Sequence, residues 1–103
     1  MNPSKIKPVF SGLGEDINSK KIKKVLNGKI VFEMMDTMGI PPSVSLLALE
    51  KHNMAFDVVA FIKAAKDSNN FTKEKIITIL TVECSVDLEI EQKIKIIADA
   101  VYK

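Results

Sequence analysis

Gly39-Ile40-Pro41-Pro42 is a barrier that no regular element can cross. Glycine accepts the left-handed backbone that ends a helix, and each proline lacks the amide hydrogen that the interior of a helix or sheet requires. The chain must therefore be assembled from pieces that stop before this point or begin after it. Asp67-Ser68-Asn69-Asn70 is a second polar break. Between the breaks, apolar residues recur at intervals of three and four, the spacing of short helices that bury one stripe each.

The first such segment runs from Ser19, a capping residue, to Met38, through Ile22, Val25, Leu26, Ile30 and Met34. Asn27-Gly28 interrupts it, which allows two short helices or a two-residue hairpin joining Leu26 to Lys29. Lys23-Lys24-Val25-Leu26 does not alternate and Phe32-Glu33-Met34-Met35 suits a helix, so the expectation is a helix kinked at Gly28. The next helix is predicted to start at Pro42 or Ser43, where proline is tolerated, and to end near His52. Its apolar side is read as Val44, Leu47 and Ala48. Asn53 is expected to cap a third helix whose face is Met54, Val58, Phe61, Ile62 and Ala65. Phe71 before Thr72 has the form of a hydrophobic staple beside a cap, and Glu74 falls in the acidic first turn of a fourth helix. That helix turns Ile76, Ile77, Leu80 and Cys84 inward.

Residues 86–96 carry two periods at once. Val86, Leu88 and Ile90 alternate with acids as a strand would, while Ile90, Ile94, Ile97 and Val101 share a helical face. Glu89 with Lys93 and Glu91 with Lys95 are i,i+4 pairs in the favourable orientation, and Ser85 is available as a cap. The helical reading is preferred. The fold expected is all-α, a compact orthogonal or bundle-like domain of about five short helices over residues 19–103. Residues 1–18, with Pro3, Pro8, Gly12 and Gly14, are read as an irregular N-terminal arm. Five Phe, one Tyr and no Trp leave the core mainly to Ile, Val, Leu and Met.

The residues that carry chemistry are few. His52 and Cys84 are single, no metal-ligand spacing occurs, and no nucleophile is paired with a base, so neither metal, cofactor nor enzymatic activity is expected. No apolar run has the length of a signal or a membrane span, and one free cysteine suits a reducing compartment, so the expected location is cytoplasmic. All 15 cationic side chains are lysine. The absence of arginine removes the rigid fork most used on phosphates and base edges. Residues 1–33 carry a balance of +4 and residues 34–103 one of −2. The densest feature is Lys20-Lys21-x-Lys23-Lys24.

These features point to a small protein-interaction module: an adaptor, a small chaperone or inhibitor, or an assembly subunit. The candidate protein-binding surface joins Lys20, Lys21, Lys23 and Lys24 to Met35, Met38 and Ile40, and the partner expected is a protein with an acidic or helical face. A second copy of the chain is another ordinary occupant. The alternative is a DNA- or RNA-binding regulator with residues 43–51 and 54–66 arranged as a helix-turn-helix, although Lys63 is the one basic residue between Met54 and Ala65. A small enzyme of unassigned class is the third reading.

Met35-x-x-Met38-Gly39-Ile40-Pro41, followed by Ala48-Leu49 and by Val59 and Ile62, resembles the ubiquitin-associated three-helix domain over about 30 of the 103 residues. The resemblance implies three tightly joined helices between residues 30 and 66, with Met38, Gly39 and Ile40 in the loop that helps bind ubiquitin or another helical ligand. Ile40 stands where that family has an aromatic residue, and Asn53-Met54-Ala55 does not reproduce its second link.

Overall fold

The computed structural model describes Phe10–Ser11 and residues 24–103. In chain order these form β1 (Phe10–Ser11), β2 (Lys24–Leu26), α1 (Gly28–Met38), α2 (Pro42–Lys51), β3 (Met54–Asp57), α3 (Val58–Ser68), α4 (Lys73–Thr81) and α5 (Leu88–Val101). The protein is mostly helical, with five helices among the described residues, as the periodicity predicts. A small parallel sheet of order β1-β3-β2 is added to them. Of the arm expected over residues 1–18, only Phe10–Ser11 is described, and it pairs with Phe56 and Asp57.

The first departure from expectation is at residues 24–26. They are a strand in register with Met54, Ala55 and Phe56, not the start of a helix kinked at Gly28. The helix begins only after Asn27, which has extended backbone and accepts a hydrogen bond from the Lys29 amide at 2.8 Å. Asn-Gly is therefore an N-cap followed by a first helical residue, and neither a kink nor a hairpin. Gly28 is required by what lies opposite. A Cβ there would sit 2.0 Å from the Asp57 carbonyl oxygen and 2.5 Å from the Phe61 nitrogen, so the first turns of α1 and α3 meet backbone to backbone.

Pro42 opens α2 as predicted, after Gly39 closes α1 at φ 72°. The Gly39 and Ile40 amides donate to the Met35 and Met34 carbonyls, both at 3.1 Å. The side of α2 facing the core is the reverse of the one expected. Pro42, Ser45 and Leu46 are buried, whereas Val44 is 51% and Leu47 60% exposed and Ala48 is exposed with them. Ser45 Oγ has no hydrogen-bond partner among the described residues.

Asn53 takes the left-handed conformation, at φ 58°, and turns the chain into β3. Met54 thus belongs to a strand, and the cap of α3 is Asp57, whose carboxylate accepts from the Val59 and Ala60 amides at 2.9 and 3.4 Å. β3 also separates the second and third helices, unlike the three-helix arrangement that the ubiquitin-associated resemblance implies. Thr72 caps α4 through the Lys75 amide at 3.1 Å. Asp87, not Ser85, caps α5 through the Ile90 amide at 3.0 Å, and Ser85 is instead a left-handed turn residue. The pairs Lys93–Glu89 and Lys95–Glu91 form at 3.8 and 3.1 Å.

The core lies around α3. Val58, Phe61, Ile62 and Ala65 are fully buried, as are Val31, Phe56, Ile76, Leu80, Ile94 and Ala98. Phe32 stands edge-on to both Phe61 and Phe71, with ring centroids 5.7 and 5.6 Å apart, a favoured aromatic geometry. Tyr102 donates its hydroxyl to the Phe71 carbonyl at 3.1 Å and ties the end of α5 to the start of α4.

Candidate protein-binding groove

Helix α3 has two working sides. The stripe of Val58, Phe61, Ile62 and Ala65 enters the core. Val59, Lys63, Lys66 and Asp67 follow one another at helical spacing on a different side, and α5 runs against it. From α5, Ile96, Ile97, Ala100 and Val101 complete a groove of about 630 Å³. Its walls differ. The α5 wall is entirely aliphatic, and Ile96 stands 67% exposed at its lip. The α3 wall has Val59 at one end, then the two lysines and Asp67.

The groove arises because α5 carries more aliphatic residues than one core-facing stripe can take. Ile90, Ile94 and Ala98 occupy the buried line. Ile97 and Val101 flank it half-buried, and Ile96 lies beyond them. A volume of this size falls in the range of pockets that take apolar groups of a ligand or side chains of a partner.

Electrostatically the two walls also differ. Lys93 and Lys95 on α5 are paired with acids of their own helix, and Lys73 of α4 reaches Asp99 at 2.8 Å. The Asp99 hydrogen bond, with its charge, raises the Lys73 pKa. Lys63 and Lys66 are exposed and make no ion pair with any described residue. Asp67, exposed beside them and likewise in no ion pair with a described residue, leaves the α3 rim a formal balance of +1.

The surface anticipated from sequence is distributed differently. Lys20, Lys21 and Lys23 lie outside the described residues. Lys24 is exposed at the start of β2. Met38 is 69% exposed at the end of α1, while Met35 and Ile40 are half-buried and Met35 packs against the core. Val25, Ile30, Met38, Val44, Leu47 and Ala48 are exposed apolar residues on this part of the chain. The sequence pattern alone does not reveal the groove. Its one sequence signal is the adjacent pair Ile96-Ile97, since neighbouring residues on a helix point about 100° apart and both cannot centre on one buried stripe.

Neither Cys84 nor His52 lines the groove. Cys84 is buried, donates its thiol to the Ile79 carbonyl at 3.4 Å, and has its pKa pushed up to about 12 by burial and then by Glu83, which makes it a poor nucleophile. His52 is exposed at the end of α2. Among the described residues no group of His, Cys, Asp and Glu is arranged to hold a metal ion, and no helix is long and apolar enough to cross a membrane. No family model, curated protein or solved structure matches the chain.

Proposed function

We propose that the chain is a small protein-interaction module that receives an apolar segment of another protein in the groove between α3 and α5. The observation that carries this reading is Ile96, a large aliphatic side chain left 67% exposed beside a continuous aliphatic wall. Covering it would remove apolar surface from water at a stabilisation of roughly 25 cal/mol per Å². The role is that of an adaptor, a small chaperone or inhibitor, or an assembly subunit. The location proposed is cytoplasmic, in keeping with a lone buried thiol. No enzymatic role is proposed; the ionisable side chains of the groove, Lys63, Lys66 and Asp67, are all exposed on its α3 wall.

The nucleic-acid reading draws less support from the same helices. β3 intervenes between α2 and α3, which a helix-turn-helix joins by a short turn, and the open side of α3 sets Asp67 beside its two lysines. The test is affinity capture from the native host with the intact chain and with Ile96→Lys, identified by mass spectrometry. Proteins that the wild type retains and the variant loses support the reading. Identical retention by both overturns the groove as the contact.

A further inference from the structure

We infer that the occupant of the α3/α5 groove is an acidic amphipathic helix, whose apolar stripe lies on the α5 wall and whose carboxylates meet Lys63 and Lys66. This rests on the protein-interaction reading above and names the chemistry of the partner. Lys63 and Lys66 are three residues apart on α3, hence neighbours along one edge of the groove. Like several other lysines, both lack an ionic partner among the described residues, but these two line the groove, whereas Lys93 and Lys95 of α5 are paired within their own helix. Opposite Lys63 and Lys66, Ile96, Ile97, Ala100 and Val101 offer no polar side chain. An occupant that satisfies both walls needs an aliphatic face and, beside it, acids spaced at three or four residues.

A helix meets this requirement with its ordinary periodicity, and laying it between α3 and α5 is the helix-in-groove mode of recognition. Asp67 sets a direction. It follows Lys66 at the end of the α3 wall, so the acids of the occupant belong beside Lys63 and Lys66, and a carboxylate beyond them is disfavoured by like charge. Exposed charge pairs of this kind act mainly on encounter rate and register, and they weaken as salt rises.

The test is an NMR titration of the intact, isotope-labelled chain with two synthetic peptides of about four helical turns. Both carry the same leucine stripe, flanked in one by glutamates and in the other by lysines. The expected result is that the glutamate peptide shifts the amides of α3 and α5 around the groove, and that its affinity falls about tenfold in Lys63→Glu/Lys66→Glu. Lys63→Gln/Lys66→Gln, with less perturbation of the exposed face, is expected to fall between. Equal binding of the two peptides at the groove overturns the acidic partner and leaves the protein-binding reading standing. Failure of both peptides to move groove amides overturns both. Shifts of the same amides with protein concentration alone assign the groove to a second copy of the chain, and shifts with laurate but neither peptide assign it to a fatty acid. Each of these also overturns the inference.

Discussion

Helix α3 is packed on two sides in opposite ways. Towards α1 there is no room for a methyl group: Gly28 rests on the Asp57 carbonyl and the Phe61 amide. Towards α5 the same helix leaves an opening of about 630 Å³ between Val59, Lys63 and Lys66 and the aliphatic wall of Ile96 to Val101. The contrast separates two uses of apolar sequence. Where backbones touch, the residues fix the fold. Where side chains stand off, they leave surface for something else, and only the first side should respond strongly in stability to substitution.

The largest expected effect is therefore Gly28→Ala. The new Cβ meets backbone on both sides, so α1 or α3 must move, at a cost of about 3 kcal/mol in urea unfolding. A cost near zero would mean that the two helices do not meet as described. Gly39→Ala is the control, since nothing lies near its Cβ and only the left-handed backbone is strained, at about 1 kcal/mol.

Next is the response to alkali, read at Cys84 in the same buried core as the inward face of α3. Burial raises its pKa from an ordinary 9.0 to about 12. Below pH 9 the thiol is protonated folded and unfolded, and its contribution is fully present. Above that, the unfolded chain releases the proton first, so stability declines as pH rises towards 12, by a few kcal/mol at most. Cys84→Ala should lack this part of the decline when urea unfolding of the two proteins is compared across that pH range.

Asp57→Ala removes the cap of α3 at the closed contact and should cost about 1 kcal/mol in thermal or urea unfolding. The smallest effect is expected at the open side. Ile96→Lys should change stability by no more than about 0.5 kcal/mol, because the side chain is mostly exposed already. A large loss there would show that the lip of the groove belongs to the core and would erase the distinction between the two sides.

Much of the helical frame is legible in the sequence because local chemistry decides it. Pro42 starts α2, Thr72 caps α4, and the glutamate–lysine pairs of α5 hold against the alternation of residues 86–96. The strands are not legible, because two to four residues carry too little periodicity and Lys24–Leu26 becomes a strand only by finding Met54–Phe56. The inverted face of α2 has a different cause. Its buried side includes Pro42 and the unpartnered hydroxyl of Ser45, which no hydrophobic pattern selects over Val44 and Leu47. The groove is not legible in the sequence because Lys63 and Lys66 look like any solvent face until α5 is laid beside them. Of the anticipated site, Lys24 and Met38 are exposed, Met35 and Ile40 are partly covered, and the three other lysines fall outside the described residues.

The parallel pairing of β2 with β3 also bears on how the molecule reaches its fold. Leu26 can meet Phe56 only after the whole of α1 and α2 has been looped out and returned. Closing such a loop loses chain entropy before the strands gain anything from pairing, whereas each helix forms from neighbours in sequence. On loop entropy alone the helices are expected to form first and the sheet last. The backbone contact at Gly28, one residue beyond the Asn27 that follows β2, can close only with that final step.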